Sequence, residues 1–180
     1  MKGALTISTF VATALAQIQP FTVMALRSAS PIHFSNLAAS GQKFYLAGPP
    51  TSSYCPLDPS ECPAGDETVF SSDYSSPTLS LYVEVPGGQT VYIGPDGAMS
   101  FTQAHSANIP AGSTQIGWSR VEDSPNYGTL SFEGGLVACP VEGKGYQVFG
   151  LLPDIVYDPA CLGFTAATLN TTEVGAWQYT

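Results

Sequence analysis

The stretch Leu79–Val85 constrains this chain most. Leu79, Leu81, Val83 and Val85 alternate strictly with Ser80, Tyr82 and Glu84, and a period of two puts all the apolar side chains on one face of a strand. Pro86-Gly87-Gly88 supplies a turn, after which Val91 and Ile93 alternate with Thr90 and Tyr92. A second turn, Gly94-Pro95-Asp96-Gly97, precedes Met99 and Phe101, so the spacing predicts a three-strand meander. The pattern returns at Ile116–Val121, Thr129–Glu133, Leu136–Cys139 and Tyr146–Phe149, and the stretches Phe21–Leu26, Lys43–Ala47 and Val174–Tyr179 read as further strands. With 18 Gly and 15 Pro interrupting the chain, no helix much longer than about two turns has room to form.

Many short strands at roughly ten-residue spacing predict an all-β fold, a single-domain antiparallel β-sandwich or a closed β-barrel with disulfides. Closure has the merit of removing open edges. A β-trefoil-like arrangement is the alternative at this length, although no convincing threefold repeat accompanies it. Residues 48–78 differ in character. They are rich in Pro and Ser and carry Cys55 and Cys62, and they read as one long loop, a contact surface if the protein acts on a partner.

The first 16 residues read as an export signal. Lys2 gives a positive start, Ala4–Leu15 an apolar run too short to span a bilayer, and Ala14-Leu15-Ala16 a cleavage site, leaving residues 17–180 as the secreted domain. No second apolar span suggests membrane insertion. In an oxidising compartment the even set Cys55, Cys62, Cys139 and Cys161 is expected to pair. Three connectivities are open; Cys55–Cys62 with Cys139–Cys161 is preferred because both close short loops. A metal reading is weaker, since no C-x-x-C pair occurs and His33 and His105 lie far from the cysteines in sequence.

Past residue 16 the only basic residues are Arg27, Lys43, Arg120 and Lys144, scattered among 14 acids. Nucleic-acid binding, which needs clustered Lys and Arg, is thereby disfavoured. No G-x-S-x-G turn offers a nucleophile, and His33 and His105 are poor general-base candidates. Glycoside hydrolysis needs two facing carboxylates, and Glu84 with Glu133 is one of many conceivable pairs that nothing singles out. No catalytic, cofactor or metal residue is assigned. Tyr82 and Tyr92, on the outward faces of adjacent predicted strands, are the candidate glycan-stacking residues, and a cross-strand pair that merely stabilises the sheet is the plainer reading. Asn170-Thr171-Thr172 is the one N-glycosylation sequon.

From Ile116 onward the chain resembles the PhiA family of fungal secreted cell-wall proteins, which includes IgE-binding allergens. The likeness rests on Gly117-Trp118-Ser119, on Leu130, Phe132 and Gly134, on Leu136-Val137-Ala138-Cys139-Pro140, and on Cys161 and Gly163; Ser80–Val85 and Ile93–Met99 match more loosely. The resemblance implies a protein exported by a filamentous fungus, lodged in or shed from the wall and associated with forming spore-bearing cells. It brings no catalytic residues with it. The expectation is therefore a non-enzymatic wall or extracellular protein without cofactor, with a carbohydrate-binding module or a secreted effector contacting a host protein as the alternatives.

Overall fold

A computed structural model describes residues 19–72 and 76–180; the export signal expected at 1–16 lies outside them. Every regular element among the described residues is a strand. The first group comprises β1 (Phe21–Leu26), β2 (Ala38–Ser40), β3 (Lys43–Leu46), β4 (Ser53–Tyr54) and β5 (Phe70–Ser71). The meander follows as β6 (Ser80–Leu81), β7 (Gln89–Ile93) and β8 (Met99–Phe101). Then come β9 (Trp118–Ser124), β10 (Tyr127–Phe132), β11 (Leu136–Pro140) and β12 (Tyr146–Gly150), and finally β13 (Leu162–Gly163), β14 (Thr165–Asn170) and β15 (Gln178–Tyr179).

The three strands pair in the meander order β8-β7-β6, but the strand expected over Leu79–Val85 is cut to Ser80–Leu81, because beyond it Tyr82 N–H turns to Val69 O and Val85 N–H to Trp177 O. The meander sits in the middle of one 13-stranded antiparallel ladder that runs β13-β11-β12-β3-β8-β7-β6-β5-β1-β14-β10-β9, with β2 paired to β3. The path is open at β13 and β9, so the closed-barrel alternative is not adopted, and the ladder has no threefold organisation of the trefoil kind. It bends over instead. Phe44 on β3 and Phe70 on β5 are several strands apart along the ladder, yet their rings lie 5.6 Å apart, with Phe21 beyond Phe70 at 5.9 Å and Phe101 beyond Phe44 at 5.3 Å. This aromatic row fills the space between two facing halves, the sandwich-like solution for two sheets that are each apolar on one side. All four rings are fully buried, each contributing about 1.5–3 kcal/mol of transfer free energy. A lone bridge, Met24 to Asn36, with Leu37 N–H donating to Val23 O at 2.9 Å, ties the halves a second time.

The residues that carry the family resemblance are structural. Trp118 and Phe132 pair across β9 and β10 with ring centroids 5.2 Å apart. Gly117 reaches the strand with φ of 101°, a conformation that a side chain disfavours, and a Cβ there would stand 3.0 Å from the Phe132 ring. Cys139 on β11 is bonded to Cys161, immediately before β13, and β13 pairs with β11 at Ala138 and Leu162. The second disulfide joins Cys55 to Cys62, so the preferred short-loop connectivity is the one found.

The 48–78 segment is more ordered than a single long loop. It contributes β4, which pairs with the closing strand β15, and β5 within the main ladder. Thr68, Val69 and Phe70 are buried. The closing stretch also lies along Val83 through a parallel bridge at Ala176.

Candidate binding grooves around the 48–78 segment

Tyr179 anchors the 48–78 segment from the far end of the chain. Its hydroxyl accepts from Val69 N–H at 2.9 Å and donates to Glu67 O at 2.7 Å. Burial pushes this phenol well above its ordinary range; the Val69 hydrogen bond pulls it down, and the Glu67 and Asp66 carboxylates add to the rise. Buried Gln89 fixes the backbone of the same residue: Tyr179 N–H donates to Gln89 Oε1 at 2.7 Å, and Gln89 Nε2 donates to Tyr179 O at 3.0 Å and to Thr102 O at 2.9 Å. Thr68 Oγ1 accepts from Ala39 N–H and meets Thr51 Oγ1. Buried polar groups with all partners present hold one arrangement tightly.

Thus fixed, Asp66 and Glu67 form a ridge between two grooves. One, of about 320 Å³, runs past Tyr45, Pro49, Pro50 and Thr51. The other, of about 490 Å³, is walled by Ser60–Ala64 beside the Cys55–Cys62 bridge and by Thr171–Gly175 opposite. Glu61, Asp66, Glu67, Glu84 and Glu173 line this second groove without a basic residue, so its field favours cations and cationic side chains. Among the described residues no group of three or more His, Cys, Asp or Glu is placed to hold a metal ion. Nor is any helix there long and apolar enough to cross a membrane.

The structure places the residues singled out in the sequence as follows. Tyr82 and Tyr92 do not form the joint stacking surface expected of them. The register sets Ser80 opposite Thr90 and Leu81 opposite Gln89, which moves the two tyrosines apart in opposite directions along the strands, and Tyr92 is only 8% exposed. Glu84 lines the acidic groove, whereas Glu133 lies where β10 ends, its N–H donating to Gly117 O; no groove described here contains both. His33 accepts from Arg27 N–H through Nδ1 at 3.1 Å and stacks on Phe34, while His105 meets Trp177 edge-on. Asn170 ends β14, its Nδ2 donating to Pro125 O at 2.9 Å and its Oδ1 accepting from Arg120. Sequence reasoning missed Gln89, whose position beside a turn gave no sign that its amide is buried.

A disulfide-stapled antiparallel sandwich with an acidic groove of about 490 Å³ defines an all-β protein of the exported type. Residues 21–180 match the family model described as PhiA-like secreted protein. The chain belongs to that family. It is also 37% identical over 156 residues, 80% of this chain and 77% of the relative, to an "Uncharacterized secreted protein" of Arthroderma benhamiae. No solved structure matches it.

Proposed function

We propose that this member of the PhiA-like secreted family is a non-enzymatic protein of the fungal cell wall, held there by contact with wall polysaccharide and serving wall and conidiation-related development. The observation that carries this reading is where the family-typical residues go. Trp118, Leu130, Phe132, Leu136 and Ala138 are buried in the core, Cys139 and Cys161 form a bridge, and at Gly134 a side chain would run into the Leu151 carbonyl. The residues that carry the resemblance are thus spent on a durable scaffold, and contact is left to the surface grooves. The test is retention of the purified protein on insoluble chitin and β-glucan, read beside immunolocalisation on intact hyphae. Retention with no release of soluble sugar is expected; sugar release, or a protein found only in the medium, overturns the reading.

A second reading, contact with a basic host protein, is favoured by the five carboxylates of the larger groove. It predicts salt-sensitive capture that is lost in a Glu61→Lys, Glu173→Lys double variant.

A further inference from the structure

A third groove, of about 310 Å³, lies beside the closing strand, and amide side chains dominate it where carboxylates dominate the acidic one. Gln42, Gln103 and Gln178 line it together with His105. No Asp or Glu lines it, and Thr180 borders it with its main-chain O accepting from Gly41 N–H at 2.8 Å. Among the described residues no hydrogen bond occupies the side-chain amides of these three glutamines, whereas Gln89 behind them is fully engaged by Tyr179 and Thr102. Each free amide offers one acceptor and two donors in a plane, a match for neighbouring hydroxyls on a sugar ring. His105 is exposed at the rim, with Trp177 edge-on to it at 6.3 Å between centroids.

Backbone geometry points the same way. Gln42 has φ of 58° and His105 has φ of 60°. Gln42 occupies the second central position of the two-residue hairpin between β2 and β3, where Ser40 faces Lys43, and His105 sits in a turn closed by Ser106 N–H to Gln103 O at 3.2 Å. Such positions favour Gly or Asn, so neither turn requires the side chain it carries. Left-handed conformations in residues other than glycine gather at ligand clamps, and two of the five such residues among those described border this one groove.

We infer that the Gln42–Gln103–His105–Gln178 groove is a subsite for an uncharged β-linked glycan of the wall. The inference rests on the wall-polysaccharide reading above and assigns it a place in the molecule. Planar amides bond the hydroxyls, the His105 ring covers one sugar face, and a volume near the lower end of ligand pockets suits one or two rings.

The experiment uses the full secreted protein with Gln42→Gly, His105→Gly and Gln103→Ala variants. The glycine changes relieve the two backbones, so their thermal midpoints should hold or rise, and lost binding cannot then be ascribed to unfolding. Binding of chitin and β-1,3-glucan oligosaccharides is read from the emission of Trp177, since Trp118 is buried. The expected result is binding unchanged between low and high salt, weakened several-fold in each variant and at least ten-fold in the triple variant. If the natural protein binds these glycans and the triple variant binds equally well, the groove assignment falls while the wall reading stands. If the natural protein is retained by neither insoluble polysaccharide, both fall. A Trp177 response to a peptide and to no glycan overturns the glycan assignment.

Discussion

Around Trp118 the chain is held by apolar rings and by backbones drawn close at glycine, whereas around Tyr179 it is held by buried amides and hydroxyls that grip other strands' main chain. The first region is local in sequence, two neighbouring strands and their turn. The second joins Gln89, Thr102, Val69 and Glu67 to the end of the chain. Apolar packing tolerates small adjustments of shape, but a buried hydrogen bond that loses one partner leaves the other stranded. The Tyr179 region should therefore respond more sharply to conservative changes than the Trp118 region does.

The largest effect is expected from Trp118→Ala, which removes the ring packed on Phe132 and should cost about 3–5 kcal/mol in urea unfolding. Trp118→Phe sharpens the contrast. Indole Nε1 has no hydrogen-bond partner among the described residues, so this change removes an orphaned donor and should cost less than about 1.5 kcal/mol. At Gln89 the opposite holds: Gln89→Leu, close in size and more apolar, strands Tyr179 N–H and two carbonyls and should cost about 2–4 kcal/mol. A neutral Gln89→Leu would break the comparison.

The disulfides come next. Replacing Cys139 and Cys161 with Ser, which opens a span of 22 residues, should lower stability by about 3 kcal/mol, and opening the 7-residue Cys55–Cys62 span by about 2.5 kcal/mol. Denaturant midpoints of the two double variants check the order.

At neutral pH Tyr179→Phe should cost about 1–2 kcal/mol, from the loss of its two main-chain partners. Its pH signature is distinct. The folded phenol holds its proton above the ordinary value of 10.0, so beyond that pH the unfolded chain binds fewer protons than the folded one. Stability should be intact below pH 10 and fall above it, by at most about 1.4 kcal/mol per pH unit. Alkaline titration of the unfolding midpoint should show this fall in the natural protein and a shallower one in Tyr179→Phe.

The same contrast explains what could be read in the sequence. Strands whose inward residues are large and apolar were legible: Phe21–Leu26 matches β1, and the second and third strands of the meander match β7 and β8, whereas of Leu79–Val85 only Ser80–Leu81 is strand. Strand β14 went unread although it lies between β1 and β10, because its inward residues are Ala166 and Thr168. These are small enough to face Arg120, whose guanidinium bonds Thr168 Oγ1 and lies over the Phe21 ring. The loop at 48–78 was recognised as distinctive by composition, but β4 depends on β15 at the far end of the chain and β5 on β1 as well as on β6, and no local pattern reports such partners. Tyr82 and Tyr92 failed as a pair for a related reason: alternation gives the face a residue occupies and leaves the register free.

The open ends of the ladder bear on how such a protein survives at high concentration. β13 is only two residues long and tethered through Cys161, and β9 carries the exposed carboxylates Glu122 and Asp123 within its span. A strand arriving from another molecule finds too short a landing at one end and like charge at the other. The same sheet that leaves itself unclosed is thereby kept from growing into fibres when many copies are crowded together.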